Sequence, residues 1–326
     1  MLPDLNTVAA RFAADLVALT GVLGTARIGL GVSGGADSVA MLLLVTAAFP
    51  GSFEVATVDH GLRAESAGEA AFVASLCIAR GIPHATLPVI VPHFGNVSSA
   101  AREARYAALE NWRVERGLDW IATAHHADDQ VETLVMRLNR ASGLSGLAAI
   151  RAVNGRVVRP LLQWTRAELV AVVADCGIQP IDDPTNRDDR FDRARLRKML
   201  AAGQIFEPGA VARSVAALAE ANDALDWVAG AQFARLSKVD DRIDFDASDS
   251  PVEIVRRVVL RCIAALDPVV QPRGSVLTRI LDLDIGEKLT VGEVTVALRA
   301  ARLCYRFSRS TPRRPAPPTT ILPATA

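Results

Sequence analysis

Lysine is nearly absent from this sequence. Only Lys198, Lys238 and Lys288 occur among the 326 residues, so residues 1–197 contain none. A Walker-type phosphate loop needs a lysine in its G-x-x-x-x-G-K-[ST] motif. That loop is therefore excluded from the whole region before Lys198, and arginine carries the positive charge there.

Cysteine is also scarce, and its spacing is unsuited to metal binding. The four cysteines, Cys77, Cys176, Cys262 and Cys304, lie far apart and form no Cys-x-x-Cys pair. This argues against a zinc site, a redox motif or a disulfide framework. We expect reduced and mostly buried thiols.

Neither an excess of one charge nor a long apolar run is present. The 36 basic residues balance 36 acidic ones, so a uniformly basic coat for nucleic acid is excluded and any RNA-binding surface must be local. No apolar stretch reaches the roughly 18 residues of a membrane span. No basic segment leads into an apolar signal core near the first residues. We expect a cytoplasmic protein with no membrane partner.

The order of short apolar runs and helical patterns predicts the fold class. From residue 26, β-rich runs such as "RIGLGV", "FEVATVD" and "DWIATA" alternate with amphipathic helices. This pattern is typical of an α/β fold with a doubly wound, Rossmann-like parallel sheet. We predict an α/β domain over residues 1–205, a second, mostly helical domain over 206–310 containing the short strand "DRIDFD", and a disordered Pro-rich tail over 311–326.

Three glycines near the first strand fit G-x-G-x-x-G, the dinucleotide-binding motif. That motif must open a helix after its strand has ended. Gly29 and Gly31, however, alternate with apolar residues and so lie inside the strand. The motif therefore does not indicate a dinucleotide site.

The turn after this strand is a better candidate for binding an anion. Glycine allows backbone N–H groups to approach a phosphate, and the helix predicted from near Ser38 adds the positive end of its dipole. Asp37 is either an N-terminal helix acid or a ligand for Mg²⁺ accompanying a triphosphate. The cradle consists of Ser33, Gly34, Gly35, Ala36, Asp37 and Ser38.

Acidic residues follow a later strand, in "HHADDQVET". His126, Asp129 and Glu132 lie at i, i+3 and i+6, so the two carboxylates share one helical stripe. Asp128 lies one residue off that stripe. The alternative is an acid cluster that merely complements the helix dipole.

The motif S-G-G-x-D-S resembles the loop of the N-type ATP pyrophosphatases (PP-loop superfamily). Further motifs, "VDHGLRAES", "AAREARYAAL", "HHADDQVET", "NRASGLSGLAAI" and "DDPTNRDDRFDRARLRKML", are similar in order and spacing to the tRNA(Ile)-lysidine synthetase family. The similarity covers residues 26 to about 200. This chain has Ala141 and Ala194 where that family usually has Gly and Asn.

The resemblance implies a reaction and its participants. ATP, with Mg²⁺, would adenylate the wobble cytidine of tRNA(Ile) bearing the CAU anticodon, and free L-lysine would displace AMP. The lysine ε-amine, with a usual pKa near 10.4, must lose a proton before it attacks, so a carboxylate is needed nearby. We assign this role to Asp129, ammonium binding to Glu132, and contact with the phosphates or the cytosine to His126. A homodimer is compatible with this reading.

The remaining binding residues implied by the resemblance fall into two groups. ATP would be held by the cradle together with Asp59, His60 and Arg105. The tRNA would be held by Arg102, Arg140, Asn186, Arg193 and Arg197, and its body by the basic strip after Val294. For Arg102 and Arg105, a solvated helix face paired with nearby glutamates is the alternative.

Three rival functions remain open. A tRNA thiolase typically needs catalytic cysteines, whereas Cys77 and Cys176 fall in predicted helices. An amidating synthetase using ammonia needs a glutaminase, for which no cysteine motif is seen. A nucleotide-binding regulator would bind ATP or AMP without turnover.

Overall fold

The computed structural model describes residues 5–21, 26–61, 66–91, 97–182, 192–203, 205–299 and 303–309. The chain divides into two compact units, Met1–Ala219 and Glu220–Ala326. The expected boundary at residue 205 lies ahead of this division, and the Pro-rich tail lies outside the described residues. Among the helices described, none has both the length and the apolar character to cross a bilayer.

The first unit is built on a six-stranded sheet in the order β3-β2-β1-β4-β6-β5. All neighbouring pairs are parallel except β5 with β6. The strands are β1 (Ile28–Gly31), β2 (Phe53–Asp59), β3 (His84–Pro88), β4 (Trp120–Thr123), β5 (Val153–Asn154) and β6 (Val157–Val158). The predicted parallel sheet is thus confirmed. Its strand order reverses between β1 and β4, which is where such sheets bind ligands.

Helices cover the sheet and lead into the second unit. They are α1 (Leu5–Thr20), α2 (Ala36–Ala48), α3 (Ser66–Ile78), α4 (Val97–Arg116), α5 (Ala127–Leu138), α6 (Leu144–Leu147), α7 (Arg166–Asp175), α8 (Asp192–Gly203) and α9 (Pro208–Phe233). The larger core joins α1, α2 and α7 to β1 through buried residues such as Phe12, Leu42 and Trp164. A separate core lies under α4, around Leu109 and Trp112.

The strand glycines allow α4 to pack closely on β1. A Cβ at Gly29 would overlap the Trp112 ring, and one at Gly31 would lie 3.3 Å from Leu109 Cδ1. Both glycines lie within β1, as predicted. They therefore serve helix packing, because any larger side chain would displace α4.

The second unit contains an antiparallel sheet in addition to helices. The sheet order is β7-β8-β11-β10-β9. Its elements are β7 (Lys238–Val239), β8 (Arg242–Asp246), α10 (Val252–Leu266), α11 (Gly274–Leu281), β9 (Lys288–Val291), β10 (Val294–Arg299) and β11 (Cys304–Arg309). The predicted strand "DRIDFD" corresponds to β8. The other four strands were not foreseen, because they are two to six residues long and their pairing is set by tertiary packing.

The packing of α4 predicts the effect of a single methyl group. Gly29→Ala should lower the free energy of unfolding by about 1–3 kcal/mol through overpacking against Trp112. Gly68→Ala is the control, because nothing lies within 4 Å of a Cβ there and alanine favours a helix by up to about 1 kcal/mol. Urea unfolding of both variants measures this, and equal stability of the two would contradict the packing argument.

Candidate active site

The loop between β1 and α2 has the geometry of an anion cradle. Helix α2 begins at Ala36 rather than near Ser38. Gly34 has φ +89°, and a Cβ there would lie 2.7 Å from Ile181 Cδ1, so only glycine fits. The N–H groups of Gly34 and Gly35 have no acceptor among the described residues. They are available to a phosphate beside the helix N-terminus.

The two serines hold this loop in shape. The Ser33 N–H donates to Ser38 Oγ at 3.1 Å, and Ser38 Oγ donates to the Gly35 carbonyl at 3.0 Å. The backbone N–H of Ser33 is thus used inside the loop, which differs from the expectation that it faces an anion. Ser33 and Ser38 shape the cradle through these bonds.

A buried histidine joins this loop to the acidic residues of α5. His126 caps the N-terminus of α5 and is only 2% exposed. Its Nε2 lies 3.5 Å from Asp37 Oδ2 and 3.7 Å from Asp129 Oδ2, and its Nδ1 lies 3.5 Å from Asp128 Oδ2. The ends of β1 and β4 therefore bring three carboxylates around one imidazole.

These carboxylates keep His126 charged. Burial lowers its pKa, but Asp128, Asp37 and Asp129 more than offset that effect and raise the pKa to about 10. In Asp37, burial raises the pKa, but the hydrogen bond and charge of His126 lower it overall. The imidazolium is consequently a fixed cation near neutral pH and is unsuited to act as a general base.

Glu132 is buried and paired with an arginine from α8. Glu132 is 2% exposed, and its Oε1 accepts from Arg197 Nε at 2.5 Å. Arg197 Nη2 also lies 3.8 Å from Asp129 Oδ1. Burial lowers the Arg197 pKa, and Glu132 raises it more. Arg197 was expected to contact RNA, and the structure places its guanidinium on these carboxylates.

Asp128 has a positioning role that the sequence analysis missed. Its Oδ2 accepts a hydrogen bond from the Arg166 N–H at 2.8 Å, at the start of α7, and faces His126 Nδ1. Burial raises the Asp128 pKa, whereas His126 and the Arg166 N–H lower it overall. Since α7 is far along the chain, helical periodicity around Asp128 gave no signal of this contact.

The other expected nucleotide contacts lie at the ends of β2 and on α4. Asp59 ends β2, and its Oδ1 accepts from the Gly61 N–H at 2.9 Å. Burial and the charge of Arg105 lower the pKa of His60, and His60 Nδ1 is buried without a hydrogen-bond partner in the described part of the chain. Arg105 lies on α4, and so does Arg102, a predicted tRNA contact, which lies over the Tyr106 ring 5.0 Å from its centroid.

The expected RNA contacts are less fully described. Arg140 is exposed in the turn after α5, next to Ala141, which has φ +49°. That left-handed conformation explains why glycine suits this position. Asn186 lies outside the described residues. Arg193 lies on α8, but its side chain is outside the described part.

Two arginines of the basic C-terminal strip are already paired. Arg306 Nε donates to Asp244 Oδ1 at 2.6 Å across β11 and β8, and Arg309 Nη2 lies 3.0 Å from Glu293 Oε2. The strip therefore carries less net positive charge than its own sequence indicates, because acidic residues of neighbouring strands and turns lie beside it.

Asp37 can hold Mg²⁺ only together with the oxygen atoms of a bound phosphate. Asp37 Oδ1 is buried and has no hydrogen-bond partner among described residues. The described chain contains no group of three or more His, Cys, Asp or Glu side chains able to hold a metal. One carboxylate plus phosphate oxygens is a usual Mg²⁺ environment. Asp37 thus fits an ion that arrives with a triphosphate.

The buried ion cluster predicts a characteristic titration. Because the folded pKa of His126 is raised, its stabilising contribution is complete below about pH 6.5 and is lost as pH rises through about 10. NMR of the histidine ring protons should show His126 charged at pH 8, while His60 and His84, with lowered pKa values, are neutral. The variant His126→Gln lacks the His126 ring-proton signal and so assigns it. This variant should also lose less stability than the unaltered protein as the pH rises toward 10. A neutral His126 at pH 8 would contradict the account.

Comparison with known proteins identifies the family. The model of the PP-loop domain family matches residues 6–203. The tRNA(Ile)-lysidine synthase of Novosphingobium aromaticivorans is 43% identical over 320 residues, covering 95% of this chain and 96% of that protein. The enzyme of the same name from Zymomonas mobilis is 37% identical over 314 residues, covering 92% and 94%.

A solved structure shows the same fold at low identity. The U34-tRNA thiolase NcsA from Methanococcus maripaludis, with its [4Fe-4S] cluster, has a TM-score of 0.54 and 15% identity, covering 66% of this chain and 80% of that one. This likeness concerns the fold alone. The PP-loop match and the near full-length relatives show that the chain belongs to the tRNA(Ile)-lysidine synthase family.

Proposed function

We propose that this chain is a carbon–nitrogen ligase that joins free L-lysine to the wobble cytidine of tRNA(Ile) with the CAU anticodon, consuming ATP. The family supports this assignment. The observation that carries it is the contact of His126 with Asp37: the imidazolium couples the phosphate loop to the acidic stripe of α5. Nucleotide activation and amine transfer can then occur in one site.

In the first step, the cytidine 2-oxygen attacks the α-phosphorus of ATP, and the bond to the β-phosphate breaks to release pyrophosphate. The N–H groups of Gly34 and Gly35 and the N-terminus of α2 would bind the phosphates. Asp59 and His60 would contact the nucleoside, and Arg105 a phosphate oxygen. Mg²⁺ held by Asp37 would neutralise phosphate charge when bound.

In the second step, the lysine ε-amine attacks cytidine C2, and the bond from C2 to the adenylate oxygen breaks to release AMP. This turns one hard substitution into two easier ones, since AMP leaves more readily than an oxide. Asp129 would take the proton that the amine must lose. His126, already protonated, would instead stabilise negative charge on the departing phosphate.

The charge of the cluster suits a cationic substrate. Asp37, Asp128, Asp129 and Glu132 place four carboxylates around His126 and Arg197. An ammonium entering this partly buried site would be attracted more strongly than in water. Because Arg197 is bound to Glu132, we propose that the lysine ammonium joins this pair or replaces the guanidinium.

RNA contacts would come from exposed basic residues near the site. Arg102 and Arg140 are exposed, and Asn186 and Arg193 belong to the polar segment leading into α8. Arg197, one turn after Arg193, is engaged by carboxylates in this structure. We therefore place the principal RNA contact of α8 at Arg193, where a guanidinium can bind phosphate or stack on an unpaired base.

The function is tested directly by product analysis. With a CAU-anticodon tRNA, ATP and lysine, the protein should release pyrophosphate only when RNA is present, and AMP only when RNA and lysine are both present. Lysine should become covalently attached to the RNA. ATP turnover that is independent of RNA would overturn the proposal.

Replacing Asp129, the proposed general base, tests whether lysine transfer can be lost while the protein stays folded. Asp129→Asn should reduce lysine transfer at least about 100-fold, since general bases contribute on that scale, while the circular-dichroism spectrum stays that of the folded protein. Asp249→Asn, an exposed site in the second unit, is the matched control. Turnover of Asp129→Asn at the level of the control would remove Asp129 from the mechanism.

The assignment of Arg193 predicts a selective loss of RNA affinity. Arg193→Ala should weaken tRNA binding about 10-fold or more, as expected from loss of a charge-assisted contact, and leave ATP binding unchanged. Arg80→Ala, just after the C-terminal end of α3 and away from the carboxyl ends of the strands, is the control. Filter binding and equilibrium dialysis provide the two affinities. If Arg193→Ala lost tRNA affinity and ATP affinity equally, the variant would be misfolded and the role of Arg193 as a selective RNA contact would be refuted.

A further inference from the structure

Three arginines act on Tyr106: one contacts its hydroxyl, one lies over its ring, and one interacts with it electrostatically. Arg159 Nη2 donates to the Tyr106 hydroxyl oxygen at 3.4 Å, and Arg102 lies over the Tyr106 ring. Arg105, the neighbour of Tyr106 on α4, interacts electrostatically with both Tyr106 and Arg102. The phenol oxygen of Tyr106 is therefore in a strongly positive environment.

This positive charge has no acidic counterpart within the described structure. Arg159 is only 4% exposed; its Nη1 donates to the Arg151 carbonyl at 2.7 Å, and its buried Nε has no partner. No carboxylate pairs with Arg102, Arg105 or Arg159 among the described residues. Arg257, which is also deeply buried, pairs with both Asp226 and Glu253. An unpaired buried cation is costly, so an anion is expected near Arg159.

The packing of α4 places this cluster beside the phosphate loop. Trp112 lies against Gly29 and Leu109 against Gly31, so α4 runs antiparallel to β1. The next helical turn, which carries Arg105 and Tyr106, consequently extends past the end of β1 toward residues 33–38. Arg159 directly follows β6, which is parallel to β4 and ends at the same edge of the sheet.

We propose that the Tyr106 hydroxyl and the buried Arg159 belong to a phosphate subsite whose missing negative charge is supplied by the substrate. Since Arg159 donates to the phenol oxygen, the Tyr106 proton is free to be donated to a phosphate oxygen between Arg102 and Arg105. The phosphate is either the terminal part of the triphosphate or a phosphodiester of the RNA strand. This choice of sources rests on the proposed function, whereas the anion site itself does not.

Tyrosine titration tests the subsite without any turnover. The chain has two tyrosines, Tyr106 and Tyr305. Burial raises the Tyr106 pKa, but Arg159, Arg102 and Arg105 lower it overall, whereas burial raises that of Tyr305. In protein labelled with ¹³C at tyrosine Cζ, a phosphate beside Tyr106 should raise the Tyr106 pKa by about one unit, because it offsets the cations. Tyr305 should not move.

The experiment uses three probes in parallel at equal ionic strength: inorganic pyrophosphate, ATP, and an anticodon stem-loop RNA with the CAU sequence. A shift of Tyr106 with ATP or pyrophosphate assigns the subsite to the triphosphate, and a shift with RNA alone assigns it to the RNA backbone. If none of the three probes shifts Tyr106, the proposal is overturned. These results hold even if the chain fails to ligate lysine.

Two variants give an independent measurement. Tyr106→Phe keeps the ring and removes the donor, and should weaken the affinity for the assigned ligand about 5- to 10-fold. Arg159→Met removes the buried cation and should weaken the affinity for the same ligand to a similar extent. It should also abolish the ligand-induced shift of the Tyr106 pKa. Tyr305→Phe, which loses the same hydroxyl in the second unit, is the matched control. Unchanged affinity of Tyr106→Phe for both ATP and RNA would refute a ligand role for the hydroxyl.

Discussion

The candidate site depends on one buried ion cluster, the imidazolium of His126 held among Asp37, Asp128 and Asp129. An unpaired charge on the buried His126 would cost several kcal/mol, and three partly exposed carboxylates this close together would repel one another without it. The imidazolium and the carboxylates therefore stabilise one another. Since Asp37 belongs to the phosphate loop and the other carboxylates belong to α5, this cluster fixes the ATP loop relative to the acidic stripe.

The fold brings these groups together through the order of its strands. The loop after β1 and the turn after β4 are adjacent because β1 pairs with β4, at the point where the strand order reverses. Asp128 extends the arrangement to a third element, since it accepts from the first N–H of α7. Helix α8 contacts the acidic residues of α5 through the ion pair of Arg197 with Glu132. Two cations from distant segments therefore organise four carboxylates.

Local patterns predicted much of this structure. The alternation of strands and helices gave the parallel sheet, and Gly29 and Gly31 could be placed inside β1 because their neighbours are apolar. The cradle and the stripe of Asp129 and Glu132 also follow from spacing along the chain. Such features involve residues within one turn or one strand of each other.

Contacts between distant segments were not predictable in this way. Arg197 is a predicted RNA contact because its own segment is basic, and only the folded chain shows Glu132 beside it. Arg306 likewise finds Asp244 on a neighbouring strand. The antiparallel sheet of the second unit was mostly unforeseen because its strand pairing is set by tertiary packing more than by local propensity.

The central claim is that one site first transfers AMP to the RNA and then exchanges it for lysine. The most direct measurement follows the label of [α-³²P]ATP in the presence of tRNA(Ile) without lysine. The account predicts that label becomes covalently bound to the RNA and leaves as AMP when lysine is added. Label that never reaches the RNA, while lysine is still incorporated, would contradict it.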